Sequence, residues 1–228
     1  AAERLSPSLE KYEVTVFTDF EPNPKLPDVL RGMEAFQQAQ ADVVLAVGGG
    51  SVIDTAKLIN HLSAQPAPAA EVVRRRPGPA IPGRPLIAVP TTAGTGSEVT
   101  LWAVITDLKR RIKFNVGGTR LIAPRLALLD PRLTLGLPPR LTAATGIDAL
   151  THAIECYTSA YAQPWPDAVA LWAIEAIGQW LRIAYEQGDN EEARYQMMMA
   201  AMLAGMSYGT ESAGAVHAMS QTAGGVYG

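Results

Sequence analysis

Asp148 and His152 stand four residues apart in a segment that reads as helical. On an α-helix this spacing places both side chains on one face, where a carboxylate oxygen and an imidazole nitrogen could reach a single metal ion. A pair of this kind is more often a hydrogen-bonded surface pair than a metal site. Here the neighbours Ala149, Leu150 and Ala153 are apolar, and a charged group in apolar surroundings requires a partner. The pair is therefore a candidate metal site that needs support from elsewhere in the chain.

His217 is a third candidate, because it is a polar residue in the small and apolar segment 214–219. A histidine in such a segment can also be a core residue whose ring nitrogens are satisfied by hydrogen bonds. Its position alone leaves both interpretations open.

A glycine-rich loop, residues 48–51, stands between a predicted strand at 42–47 and a predicted helix at 52–62. Glycines let the backbone approach a ligand closely, and the free N–H groups at a helix start favour a phosphate. The loop departs from the Rossmann fingerprint, since Ile53 stands where the third glycine would be, and no Gly-Lys-Ser/Thr follows as in a P-loop. A tight turn without a ligand is the alternative interpretation.

A second polar loop, residues 90–98, follows a predicted strand at 86–89 and contains three threonines, one serine and two glycines. Parallel sheets bind ligands beyond the carboxyl ends of their strands. Two such loops after neighbouring strands therefore predict a ligand cleft more strongly than one loop does.

Composition limits the function classes that remain. The chain has 228 residues, 48% of them hydrophobic, and a net charge of -3, which predicts a globular protein and gives no electrostatic reason to bind nucleic acid or an anionic membrane. Cys156 is the only cysteine, which excludes an internal disulfide and agrees with a reducing cytoplasm. No apolar run is long enough for a membrane span.

Hydrophobic periodicity predicts an α/β part followed by a helical part. We place the boundary near Gly136, giving an α/β domain at 1–135 and a helical domain at 136–228. Lys113 falls in a predicted hairpin, where a solvated lysine is the usual interpretation. The predicted strands are residues 12–18, 42–47, 86–89, 99–106, 112–116 and 126–129; the predicted helices are 27–40, 52–62, the Asp148 segment, 167–185, 191–206 and 212–223.

Three segments together, residues 48–57, 90–100 and 144–155, resemble the iron-containing (group III) alcohol dehydrogenase family, which is related in fold to glycerol dehydrogenases and dehydroquinate synthases. The resemblance covers nearly the whole chain in order and spacing. It implies a parallel-sheet dinucleotide-binding α/β domain followed by an all-α metal-binding domain, with the active site in the cleft between them.

The resemblance also implies site residues and an activity. Asp148, His152 and His217 would be three of four metal ligands, a set that suits Fe²⁺, with Zn²⁺ as a substitute. The implied reaction is hydride transfer between a small alcohol or aldehyde and NAD or NADP, with the metal as Lewis acid and no separate catalytic side chain. A cytoplasmic homo-oligomer, such as a dimer, is expected. The residues at cofactor-binding positions of the family are Gly48, Gly49, Gly50, Ser51, Thr91, Thr92, Thr95, Thr100 and Lys113.

Three departures from the family pattern matter. The fourth ligand in the family is a histidine in a Pro-His-Gly turn that would follow Gly228. Gln221 stands where the family frequently has a second histidine, four residues after His217, and the family's first strand and helix would precede Ala1. The first and third departures predict an incomplete chain, whereas Gln221 predicts a subfamily difference in the proton relay or the substrate pocket. The alternatives are a lyase or synthase on the same fold and a catalytically silent cofactor-binding protein.

Overall fold

The structure is a computed structural model, and it describes residues 7–73, 81–118, 120–161, 163–208 and 214–227. An α/β part precedes a helical part, as the sequence predicts. The α/β part consists of α1 (Leu26–Ala39), β1 (Val44–Gly48), α2 (Gly50–Ser63), the short α3 (Ala69–Val72), β2 (Leu86–Pro90), β3 (Trp102–Asp107), β4 (Ile112–Gly117), β5 (Leu126–Ala127) and a 3-10 turn (Pro131–Thr134). The helical part consists of α4 (Pro139–Tyr157), α5 (Pro164–Glu186), α6 (Glu191–Tyr208) and α7 (Ala215–Tyr227).

A parallel sheet of order β1-β2-β5 forms the centre of the α/β part. The register pairs Val44 with Leu86 and Gly48 with Pro90, so β1 and β2 end side by side. Burial explains part of their apolar sequences, since Ala46 of β1 and Ala88 of β2 are 2% and 0% exposed, whereas Leu45 of β1 is 37% exposed. The loops that follow the two strands consequently leave the same edge of the sheet.

The predicted hairpin is confirmed, because β3 and β4 form a separate antiparallel pair. Ala103 and Ile105 of β3 turn inward against Leu58 of α2, and each is at most 1% exposed. The hairpin thus lies against the helix that follows the glycine-rich loop.

The strand predicted at residues 12–18 is wrong. Residues 13–20 belong to no strand, and Val14 and Val16 are 51% and 75% exposed. β-branched residues favour a strand only where a neighbouring strand supplies hydrogen bonds and a packed face. Within the described ranges no strand pairs with this segment.

The helices α4, α5 and α6 pack on one another through small residues. Ala149, Ala153, Ala173 and Ala204 are each 0% exposed, and side chains of this size let helix axes approach closely. The first residues of the helix predicted at 212–223 lie outside the described residues, and α7 itself runs further than predicted, to Tyr227. No helix in the described part of the chain is both long and apolar enough to cross a membrane.

Candidate metal and cofactor site

Helix α4 carries the first two candidate ligands. Pro139 occupies its first turn, where the missing N–H is not needed, and the helix continues for 19 residues. Asp148, His152 and Glu155 stand at positions i, i+4 and i+7 of this helix and therefore share one face.

His217 of α7 joins the α4 pair. One ligand atom from each of Asp148, His152 and His217 lies within 4.8 Å of the others. The Nε2 atom of His217 is 3.8 Å from Oδ1 of Asp148. The three residues that the sequence nominated therefore form a cluster with the ligand types of an iron or zinc site.

Burial keeps the His152 imidazole neutral, which is the form that binds a metal ion. His152 is 6% exposed, and its pKa is lowered to about 3 by burial and then by the charge of His217, against an opposing effect of Glu155. His152 is thus neutral near pH 7, as a metal ligand must be. Burial raises the pKa of Asp148, and the His217 charge opposes that rise.

One further observation at this cluster agrees with the ligand types of a metal site. The buried Nδ1 atom of His152 has no hydrogen-bond partner, although a buried polar atom normally has one. The described residues therefore leave the hydrogen-bonding capacity of one buried nitrogen of His152 unused, which a ligand from outside the protein could satisfy.

Tyr208, the last residue of α6, encloses the cluster. Its ring centroid lies 4.6 Å from that of His152 and 5.2 Å from that of His217, and the two imidazoles stack at 4.4 Å. Burial and the nearby carboxylates of Glu155 and Asp148 raise the pKa of Tyr208 to about 12. Tyr208 is therefore uncharged at neutral pH, and its ring packs against the two histidines. No local pattern in the sequence indicated this residue.

Glu155 is the second site residue that sequence reasoning missed. It hydrogen-bonds Nδ1 of His217 and accepts hydrogen bonds from the backbone at the start of α7. Burial raises the pKa of Glu155, but the hydrogen bonds from His217 and Val216 outweigh burial, and the net pKa lies below the ordinary value. Its position three residues after His152, on the face of α4 that carries the ligands, was the available signal.

The glycine-rich and threonine-rich loops lie against each other. The Thr91 N–H donates to the Gly48 carbonyl at 3.0 Å. A Cβ placed on Gly49 would lie 3.2 Å from Thr92 Cγ2, and one placed on Gly50 would lie 2.6 Å from Thr95 Cγ2. Gly50 already belongs to the first turn of α2, so the glycine-rich loop is a helix N-terminus with threonines beside it.

The threonine-rich loop also contacts the helix that carries the metal ligands. A Cβ on Gly94 would lie 2.6 Å from Thr145 Cβ, and Thr145 precedes Asp148 by three residues on α4. The threonine-rich loop therefore contacts both the glycine-rich loop and the helix that carries Asp148 and His152.

Ser51 and Lys113 are brought together through Asn23. The Asn23 N–H donates to Ser51 Oγ at 3.2 Å, and Lys113 Nζ donates to Asn23 Oδ1 at 2.9 Å. Lys113 also lies beside α7, since a Cβ on Gly224 would be 3.0 Å from its Nζ. Asn23, which has a left-handed φ of 61°, was not nominated by the sequence.

Thr100 differs from the other nominated threonines. It is 6% exposed, and its hydroxyl and carbonyl oxygens each accept a hydrogen bond from Lys57 Nζ at 3.0 Å. Lys57 also donates to the Trp102 carbonyl at 2.8 Å. Thr100 thus joins the end of its loop to α2.

Comparison with known proteins agrees with this geometry. The family model for iron-containing alcohol dehydrogenase matches residues 1–131, and the model for the C-terminal part of the same family matches residues 142–228. The chain belongs to the iron-containing alcohol dehydrogenase family. The resemblance found in the three sequence segments is thereby confirmed.

Individual family members give the extent of the match. Choline dehydrogenase of Bacillus subtilis is 52% identical over 222 residues, which is 94% of this chain and 54% of that protein. The alcohol dehydrogenase from Oenococcus oeni has a TM-score of 0.93 at 37% identity, covering 99% of this chain and 59% of that one. Sulfoacetaldehyde reductase from Bifidobacterium kashiwanohense, solved with NAD⁺, has a TM-score of 0.85 at 37% identity. The match covers 90% of this chain and 55% of that one.

These family members confirm the predicted fold class, a parallel-sheet part followed by a helical part. The chain spans about half the length of the curated relatives it matches. The predicted domain division at 135/136, the individual cofactor positions and the metal-ligand roles of Asp148, His152 and His217 stay predictions.

Proposed function

We propose that this chain provides the cofactor cleft and three metal ligands of an NAD-dependent, iron-type alcohol dehydrogenase. In the reaction, the carbinol carbon of a small alcohol gives a hydride to the nicotinamide and the hydroxyl gives up its proton; aldehyde reduction is the reverse. The observation that carries this proposal is the convergence of Asp148, His152 and His217 within 4.8 Å beside a loop that packs on a glycine-rich helix start.

The ligand cluster supplies the electrophilic side of the reaction. Asp148 provides an oxygen donor, and His152 and His217 provide nitrogen donors from two different helices. A divalent metal held by them would act as a Lewis acid on the substrate oxygen. Tyr208 and the stacked imidazoles keep water from the two buried histidines, which strengthens electrostatic interactions there, whereas the Asp148 side chain is 39% exposed.

The two loops supply the cofactor side. We propose that the backbone at Gly48, Gly49, Gly50 and Ser51 holds the pyrophosphate, because the N-terminus of α2 favours negative charge. Thr91, Thr92 and Thr95 line the adjacent loop, and Lys113 adds a positive charge near Ser51. We assign Thr100 a structural role, because its hydrogen bonds with Lys57 hold the end of this loop against α2. The NAD⁺ found in the sulfoacetaldehyde reductase structure supports NAD as the cofactor; NADP and Zn²⁺ stay alternatives to NAD and Fe²⁺.

The test is cofactor reduction by the full-length polypeptide that the gene encodes. The protein is loaded anaerobically with Fe²⁺ or with Zn²⁺, and absorbance of reduced cofactor is followed with NAD⁺ and NADP⁺ separately. Choline, 1,3-propanediol and short primary alcohols are the first substrates, since relatives of this chain are named for activity on choline, 1,3-propanediol and methanol. Metal-dependent accumulation of NADH is expected. No reduction of either cofactor with any alcohol would contradict the proposal.

Two further expectations belong to the same proposal. The protein is expected to form a homo-oligomer. Light scattering of the full-length protein measures its molar mass. A cytoplasmic location rests on the single cysteine, Cys156, and is checked by fractionating the producing cell.

A further inference from the structure

Glu155 stands on the ligand face of α4 but faces His217 rather than the space between the ligands. Its side chain is 8% exposed. One carboxylate oxygen, Oε2, hydrogen-bonds His217 Nδ1, while the other ring nitrogen, Nε2, is the one 3.8 Å from Asp148 Oδ1. The two nitrogens of His217 therefore face two different carboxylates.

The same carboxylate also receives the backbone of α7. Oε1 accepts from the Val216 N–H at 2.6 Å and from the His217 N–H at 3.3 Å, and Oε2 accepts from the Gly214 N–H at 3.1 Å. These are N–H groups at the start of a helix, which lack intrahelical partners. Glu155 thus fixes both the backbone and the ring of His217.

Gly214 allows this approach. A Cβ on Gly214 would lie 2.6 Å from Oε1 of Glu155, so any side chain there would displace the carboxylate. The glycine explains how a glutamate from α4 reaches the backbone of a different helix.

We infer that Glu155 is a positioning residue for the proposed metal site, which holds His217 as the Nδ1–H tautomer and aims Nε2 at the space shared with Asp148. A carboxylate can only accept, so Nδ1 carries the hydrogen, and in the neutral ring that binds a metal Nε2 keeps a free lone pair. Carboxylates that accept from the second nitrogen of a ligating histidine fix its ring orientation and raise its basicity. Glu155 lies outside the candidate ligand cluster. Because Asp148 and His152 lie on the same helix as Glu155, it connects the α7 ligand to the α4 ligands.

The inference rests on the proposed metal site, and its test uses two measurements on the full-length protein. In metal-free protein labelled with ¹⁵N-histidine, long-range ¹H–¹⁵N correlation spectra report which nitrogen of His217 carries the hydrogen; a His217→Asn sample assigns the signals. Competition of Zn²⁺ with a chromophoric chelator at one fixed pH reports metal affinity.

The informative variants change Glu155 in two ways. Glu155→Gln keeps the shape and removes the charge, whereas Gly214→Ala keeps the glutamate and displaces its carboxylate. Both are expected to populate the Nε2–H tautomer of His217 and to weaken Zn²⁺ binding by about 10- to 100-fold, as for outer partners of metal ligands. Glu155→Asp, which keeps the charge but shortens the reach, is expected to weaken binding less than Glu155→Gln. Glu175→Gln, a charge removal at an exposed position on α5, is the control and is expected to change neither measurement.

The outcomes separate this inference from the proposed function. Wild-type protein that binds Zn²⁺ while Glu155→Gln binds it equally well and keeps the Nδ1–H tautomer would overturn the role of Glu155 alone. Wild-type protein that binds no Zn²⁺ at these ligands would overturn the proposed function and this inference together. The helical circular dichroism signal of each variant identifies loss of folding. If Glu155→Gln unfolds, the His217 tautomer and the Zn²⁺ affinity of Gly214→Ala and Glu155→Asp test the role of Glu155 instead.

Discussion

Gly96 and Gly205 bring the backbones of the threonine-rich loop and α6 into direct contact. A Cβ on Gly96 would lie 2.6 Å from Gly205 Cα, and a Cβ on Gly205 would lie 2.8 Å from Gly96 Cα. Gly96 also has a φ of +60°, which L-residues with side chains rarely adopt. The loop is therefore held against the helical part at a point where neither residue can carry a side chain without displacement.

Gly205→Ala is expected to destabilise the protein by about 1–3 kcal/mol, because the added methyl group meets backbone that cannot move aside easily. Gly178→Ala is the matched control. Gly178 also lies within a helix, but a Cβ added to it would have no neighbour within 4 Å, so alanine should stabilise by about 0.5–1 kcal/mol through helix propensity. Urea denaturation measures both variants. Equal effects of the two substitutions would contradict the contact between Gly96 and α6.

Gly50→Ala is expected to weaken NAD⁺ binding by about 10-fold, or about 1.4 kcal/mol. The new Cβ would lie 2.6 Å from both Cγ2 and Oγ1 of Thr95, so the Thr95 side chain must shift from its position beside the glycine-rich loop. Calorimetric titration of the full-length protein with NAD⁺ measures the effect. Gly136→Ala is the control, since Gly136 has no neighbour within 4 Å of a Cβ, and a similar loss of affinity there would contradict the assignment of the glycine-rich loop.

His152→Ala is expected to weaken Zn²⁺ binding by more than the about 10- to 100-fold typical of outer partners, because it removes a ligand itself. Zn²⁺ at about 100 times the wild-type Kd should stabilise the wild-type protein by about 2.7 kcal/mol, and it should stabilise the variant by less than about 0.4 kcal/mol at the same concentration. His61→Gln is the matched control. His61 is likewise buried, at 5% exposure, with an unpartnered Nδ1, but it lies on α2 outside the ligand cluster. If Zn²⁺ no longer stabilised His61→Gln, the assignment of His152 as a metal ligand would be contradicted.

Sequence reasoning located the residues that local spacing and motif order define. The i, i+4 spacing placed Asp148 and His152 on one helix face, and apolar runs before two polar loops located β1 and β2. His217 was placed at the metal only by the family resemblance, because it lies on a different helix, far along the chain from His152. Such long-range proximity depends on tertiary packing rather than on local propensity.

The remaining features depended on contacts that the sequence does not state. The segment around Val14 and Val16 has strand propensity but no strand partner in the described structure. Glu155 reads as one more polar helix residue until α7 is seen to begin beside it. Asn23 enters the site through a left-handed backbone conformation, and its contact with Lys113 spans 90 positions.

Lys57 provides a prediction about pH. Burial lowers its pKa to about 8, against the opposing effects of Asp54 and Glu98. In the unfolded chain the same lysine holds its proton up to its ordinary pKa of 10.5. Between these two values the unfolded state binds more protons than the folded state, so the contribution of Lys57 to the free energy of unfolding rises with pH, by up to about 1.4 kcal/mol per pH unit.

The variant Lys57→Met removes the titrating group while keeping most of the apolar stem. We therefore expect the free energy of unfolding of the wild-type protein to rise relative to that of Lys57→Met as the pH increases from about 8 toward 10.5. Urea denaturation across this range measures the difference. Lys109→Met, at an exposed turn between β3 and β4, should keep the wild-type dependence on pH. Parallel pH dependences of wild type and Lys57→Met would contradict the lowered pKa, because they would show that the Lys57 ammonium, which donates three hydrogen bonds to Thr100 and Trp102, keeps its proton in the folded protein as readily as in the unfolded chain.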